Sequence, residues 1–169
     1  DGLIDVYCGF APDTKAEDLD FQSMYVQAPW LVCRKNHPLS QSGLENFHDI
    51  QQYKIASGDA PDWYFEKVRE STPYKSNEKE ALRNLFLQSQ DPYLAREVVL
   101  STNAVGLLPA FIARSEVASG RMIRLDAPEI PLPEKVEFVV ARRAGDISTP
   151  ISMYFSREVK KAALEVSRH

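Results

Sequence analysis

Short apolar runs bounded by polar turns alternate along this chain with segments whose apolar residues recur at helical spacing. Leu3, Ile4, Val6, Tyr7 and Cys8 form one such run, closed by Gly9, and predict a buried strand over 3–10. After a polar loop, strand-like material returns at 21–26 and at 29–34, with Trp30, Leu31, Val32 and Cys33 as its most apolar part. His37-Pro38-Leu39 reads as a turn, and Ser42 with Glu45 three residues on predicts a capping box for a short helix through Ile50. The run 54–57 is a short strand ending in the turn Ser57-Gly58-Asp59. Pro61 then stands where a helix's first residue belongs, with Trp63, Phe65 and Val68 marking that helix to about Ser71.

The second half is punctuated in the same way. Residues 73–82 are polar and charged, and 84–88 is a strand candidate. Asp91-Pro92 combines an N-cap acid with a first-turn proline, opening a helix through Tyr93, Leu94, Val98 and Val99 that ends at Ser101-Thr102-Asn103. A buried strand follows at 105–108. Pro109 opens a helix carrying Phe111 and Ile112 and stopped by Gly120. Residues 122–125 form a strand, 128–133 a stiff proline-rich connector, and 136–142 another strand. Thr149-Pro150 starts a final helix with Ile151, Tyr154, Phe155, Val159, Ala162, Ala163 and Val166 at helical spacing. Strands alternating with helices predict an α/β sheet fold with helices on its faces.

Composition narrows the function. Among 169 residues, 20 Lys and Arg face 24 Asp and Glu, a net charge of −4, whereas a domain gripping a phosphate backbone is expected to be basic. Direct nucleic-acid binding by this segment is therefore disfavoured. No apolar run approaches the roughly 20 residues of a membrane span. The first residues, Asp1-Gly2-Leu3-Ile4-Asp5, have no basic head and no initiator Met, so the expectation is a chain that begins inside a longer protein without an export signal. Cys8 and Cys33 lie in separate apolar stretches and are expected to be reduced thiols, which points to the cytoplasm. Neither has a second Cys or His at metal-ligand spacing, so no metal is expected.

A search for catalytic chemistry finds little. His37 lies in a turn, His48 in a short helix and His169 at the end, with no pair at metal spacing on a helix face. The Gly-x-Ser-x-Gly elbow, the Gly-x-Gly-x-x-Gly loop and the phosphate loop are all missing. Asp59, Asp62 and Asp91 read as helix caps rather than catalysts. The expectation is no enzyme and no cofactor. Three turns at element ends, Cys8-Gly9-Phe10, Ser57-Gly58-Asp59 and Ser101-Thr102-Asn103, could offer free backbone N–H groups to a polar ligand. The first two suit the carboxyl-end rule for ligands of open α/β sheets, and ordinary turns remain the alternative for all three.

The order of motifs resembles the effector-binding domain of LysR-type transcriptional regulators. Gly2-Leu3-Ile4-Asp5 matches that family's Gly-x-hydrophobic-Asp strand, and Arg34-Lys35-Asn36-His37-Pro38-Leu39 its strand ending in His-Pro-Leu. The helix running into a strand and a proline at 98–109, the basic strand at 120–125, and the strand ending in Arg142 before the helix at Pro150 follow in the family's order. Two departures stand out. Thr102 and Ala104 occupy places where the family usually has glycines, and the segment 71–83 is longer than usual.

The resemblance implies a two-lobe, type 2 periplasmic-binding-protein-like α/β fold. Residues 1–51 would be a partial first lobe, 52–135 a complete second lobe, and 136–169 the return to the first. A small effector would bind between the lobes and shift their arrangement, and so DNA binding by the full-length protein. The candidate effector-binding residues are Gly9 and Phe10 from the first lobe, with Ser57, Gly58, Thr102 and Asn103 from the second. DNA would be reached only through an N-terminal helix-turn-helix outside this chain. Exposed faces of the partial lobe imply self-association as a dimer or higher oligomer. The alternative on the same architecture is a periplasmic solute-binding protein of a transport system, and a third reading is an enzyme on that fold.

Overall fold

The computed structural model describes residues 5–11, 17–44, 47–50, 52–58, 86–89, 91–126, 135–145 and 149–167. The chain divides into two compact units, 1–27 with 135–169, and 28–134. The expected helix after Pro61, the surface segment 73–82 and the connector 128–133 lie outside the described residues.

In the first unit, β1 (Tyr7–Phe10) and β2 (Leu19–Gln27) flank β8 (Val136–Arg143), both antiparallel to it. The central strand is buried through Val139, Val140 and Ala141. A bulge between Ser23 and Tyr25 shifts the β2–β8 register by one residue. Helix α5 (Pro150–Ser167) lies along β2. Its start is capped as the sequence suggests, the Thr149 hydroxyl accepting from Ser152 N–H at 3.1 Å. Only part of the apolar stripe of the helix is covered, however. The half-buried positions include Ser152, Ser156, Val159 and Ala163, while Ile151 is 81% exposed and Tyr154 59%. The small residues sit nearest the rest of the unit and leave the bulky apolar ones facing outward.

The second unit holds a five-stranded sheet in the order β5-β4-β6-β3-β7. Its strands are β3 (Pro29–Arg34), β4 (Ile55–Ser57), β5 (Phe86–Gln88), β6 (Val105–Pro109) and β7 (Met122–Arg124). β4 runs parallel to both β5 and β6, whereas β3 is antiparallel to β6 and β7. Those pairings carry β3 into this unit. The compact units meet at 27/28.

Helix α3 (Pro92–Ser101) starts where Asp91 accepts from Tyr93 N–H at 2.9 Å, with a proline following the cap. It buries Ala95 and Val99, one turn apart, on the sheet. Helix α4 (Ala110–Ala118) stops at Gly120, which takes φ +70° as a C-terminal glycine can. Val32, Ala56, Val99, Leu108, Ile112 and Met122 belong to one buried cluster formed by the sheet and these helices. Glu45, the other half of the capping box expected at Ser42, lies outside the described residues. Ser42 itself ends α1 (Leu39–Ser42), its hydroxyl donating to the Pro38 carbonyl at 3.4 Å, and Gly43 at φ +76° turns the chain away before α2 (Phe47–Ile50).

Gly106 lets α3 lie close on β6. A Cβ there would stand 2.7 Å from Val99 Cγ2 and 3.1 Å from both Leu108 Cγ and Val32 Cγ2. Gly106→Ala is therefore expected to overpack the core and destabilise it by about 1–3 kcal/mol. Urea denaturation checks this, and an unchanged midpoint would show that the core yields freely.

Candidate functional site

The carboxyl end of β4 meets the geometric requirement for a ligand site best. The next strand after β4, β5, lies on one side of it, whereas β6 lies on the other and its chain goes on to β7, beyond β3. Chain connections therefore leave β4 and β6 in opposite directions. Open α/β sheets form a crevice at such a switch point, outside the carboxyl ends of the strands. Ser57 and Gly58 stand there. Ser57 is 2% exposed, its hydroxyl donates to the Gly58 carbonyl at 2.9 Å, and its own carbonyl accepts from Ser89 N–H at 3.1 Å. Gly58 is less enclosed. Among the described residues, a Cβ placed on it would meet the Ser89 carbonyl at 3.9 Å, an ordinary contact.

Thr102 and Asn103 are not at this end. Ser57 pairs with Leu107 and Ile55 with Val105, so Asn103 precedes the opposite, amino end of β6. The two pairs are roughly 15 Å apart along the strands, at roughly 3.3 Å per residue. The expected grouping of Ser57, Gly58, Thr102 and Asn103 in one site is therefore not what the sheet produces. The reason is direction: one turn follows its parallel strand and the other precedes its own.

Thr102 and Asn103 have local work instead. The Thr102 hydroxyl donates to the Val98 carbonyl at 2.7 Å and accepts from Ala104 N–H at 3.0 Å, closing the last turn of α3. The Asn103 side-chain oxygen accepts from Arg34 Nη2 at 2.7 Å and Nε at 3.3 Å. Its backbone carbonyl lies 3.0 Å from His37 Nε2. Burial and the nearby Arg34 charge hold the His37 pKa below the ordinary imidazole value, although its bond to Asn103 opposes them.

In the first unit, Gly9 and Phe10 end β1. The Tyr7 side chain folds over Gly9, its hydroxyl donating to the Phe10 carbonyl at 3.1 Å, and a Cβ on residue 9 would sit 2.7 Å from Tyr7 Cζ. A Cβ there would push the exposed Tyr7 ring aside. Phe10 packs edge-on against Phe138, with centroids 5.7 Å apart.

Both cysteines are free thiols. Burial pushes Cys33 up to about 11 and Cys8 above its ordinary value, so neither is an activated nucleophile. No group of His, Cys, Asp and Glu suited to a metal occurs among the described residues.

Glu116 is a residue that sequence reasoning does not single out. Buried on α4, it pairs with Arg121 at 2.7 Å and with Arg96 of α3 at 3.5 Å. A single acid in the segment 110–118, with Arg121 five residues on, is the available signal.

The sequence matches the LysR substrate binding domain family over residues 1–151. The chain belongs to that family. Its fold is accordingly the type 2 periplasmic-binding-protein-like fold, and its context is transcription regulation. Solved structures agree. The effector domain of the transcriptional regulator AmpR of Pseudomonas aeruginosa superposes with a TM-score of 0.65 at 16% identity, covering 98% of this chain and 74% of that one. The AmpR effector binding domain from Citrobacter freundii gives 0.61 at 14%, covering 95% and 74%. Full-length HypT from Salmonella, a LysR-type regulator, gives 0.62 at 17%, covering 97% of this chain and 53% of that one. No curated protein sequence matches. This LysR-family membership does not favour the solute-binding alternative, and the family is one of regulator effector domains rather than of enzymes. None of the described helices is long and apolar enough to cross a membrane.

Proposed function

We propose that this chain is the effector-sensing regulatory domain of a LysR-type transcriptional regulator in the cytoplasm. A small molecule binds it and thereby modulates DNA binding by an N-terminal helix-turn-helix of the full-length protein. The observation that carries the ligand site is the placement of Ser57 and Gly58 at the carboxyl end of β4, beside the switch point of the sheet. The Ser57 hydroxyl supplies a polar contact and Gly58 a close backbone approach. Gly9 and Phe10 remain candidates in the first unit on their strand-end position alone. That unit corresponds in this reading to the family's first lobe, and 28–134 to its second.

A panel of amino acids, aromatic acids and sugar acids, screened by thermal shift, tests the reading. At least one class is expected to raise the melting temperature in a concentration-dependent way. A flat response across the panel would contradict it.

Self-association is the second part of the proposal. Ile151, Met153, Tyr154 and Phe155 are all exposed on α5, an apolar patch of the kind that marks an interface. Ile151→Lys combined with Tyr154→Lys is expected to convert a dimer or larger species into monomer in sedimentation velocity, at unchanged helix content. A wild-type chain already monomeric at micromolar concentration would overturn this part.

A further inference from the structure

His37 is 1% exposed, yet both of its ring nitrogens are engaged. Nδ1 accepts from Leu39 N–H at 3.0 Å, so the ring proton resides on Nε2 and points to the Asn103 carbonyl. Two otherwise distant parts of the second unit meet on this one ring. Helix α1 has no side-chain cap from its N-cap residue Pro38, and Leu39 N–H finds its acceptor in the imidazole. The other end of the ring holds the turn between α3 and β6. Among the described residues, the titratable or charged groups facing the ring are Arg34, at the end of β3, and Tyr53, whose ring centroid is 4.4 Å away.

An imidazolium cannot keep this arrangement. A proton taken from solvent onto Nδ1 would set N–H against N–H at Leu39, remove the acceptor that serves that amide, and place a cation beside Arg34. The bond from Nε2 to the Asn103 carbonyl survives protonation, since Nε2 is a donor in both forms.

We propose that His37 is a proton-operated latch. As the neutral ring it ties the start of α1 to the α3–β6 turn, and on protonation it frees α1 while the sheet of the second unit stays folded. The direction follows from linkage. The freed ring takes up a proton at the ordinary imidazole value, near pH 6.5, whereas the latched ring does so only at lower pH. The latch is therefore complete above that value and is lost as the pH falls below it. Between the two values the opened fraction rises as the pH falls. The proposal stands apart from the identity of any effector.

Amide hydrogen exchange and two-dimensional NMR of the whole chain between pH 7.5 and 5 test it. At pH 7.5 the His37 ring nitrogens should show the Nε2–H tautomer. Protection of Leu39 N–H and of Gly43 N–H, which donates to the Leu39 carbonyl at 3.0 Å, should fall as the pH drops below about 6.5. Protection in β6 should hold over the same range. His37→Asn, whose side-chain oxygen can still accept from a backbone amide two residues on, should leave α1 protected and pH-independent. Arg34→Gln removes a charge that opposes the protonated ring in the latched form, so it should make opening less steep and move it to lower pH in a chain that keeps its histidine. Protection of α1 that ignores the His37 titration, or that falls with pH equally in His37→Asn, would overturn the latch, as would loss of β6 protection together with α1.

Discussion

Leu108→Ala is expected to cost the second unit about 2–5 kcal/mol, because it empties a leucine site in the middle of a rigid sheet. Leu108 is fully buried on β6, which stands between β4 and β3 in the sheet. It belongs to the same buried cluster as Val32, Val99 and Met122, contributed by β3, α3 and β7, and a strand in mid-sheet cannot move to fill the space. Natural domains have only about 5–15 kcal/mol of stability, so this loss would leave a large part of the second unit unfolded at modest urea. The measurement is the urea midpoint followed by a second-unit signal such as Trp30 fluorescence. A loss below about 1 kcal/mol would mean that the cluster collapses around the cavity.

Gly58→Leu is expected to act in the opposite manner, with little effect on folding and a large one on binding. Among the described residues a Cβ at Gly58 meets the Ser89 carbonyl alone, at ordinary contact distance, so a larger side chain should leave the urea midpoint nearly unchanged. The same side chain would fill the space outside the carboxyl end of β4. Loss of a hundredfold or more in effector affinity is expected, equivalent to about 2.8 kcal/mol at about 1.4 kcal/mol per tenfold. Titration calorimetry with the acid that stabilises the wild-type chain checks it. Retained affinity in a folded Gly58→Leu chain would move the site elsewhere.

Elements marked by punctuation were legible in the sequence. Asp91-Pro92, Pro109, Gly120 and Thr149-Pro150 bound helices in the structure as the pattern predicts, because caps and prolines act through backbone groups within one turn. Ser42 misled because Gly43, directly after it, ends a helix that had already begun at Leu39. The fold class was also legible, since alternation of strands and helices constrains the layers.

The site was legible only in part. Ser57-Gly58 and Thr102-Asn103 look alike as turns, and nothing local distinguishes a turn leaving a parallel strand from one entering it. Sheet register decides that, and register in this unit depends on pairing of residues about fifty positions apart, Ile55 with Val105. The joint holding of Asn103 by Arg34 and His37 spans a similar separation. The stripe on α5 shows the converse: its helical period is real, but which side of the helix is covered depends on what packs there.

The central claim is that a small molecule binds at the carboxyl end of β4 and is sensed there. The most direct measurement is thermal unfolding of the wild-type chain and of Gly58→Leu, side by side, against the panel of amino acids, aromatic acids and sugar acids. A ligand at a hundred times its dissociation constant stabilises by about 2.7 kcal/mol, a clear shift in melting temperature. The account predicts that shift in the wild-type chain and its disappearance in Gly58→Leu. An equal shift in both chains, or none in the wild type, would contradict it.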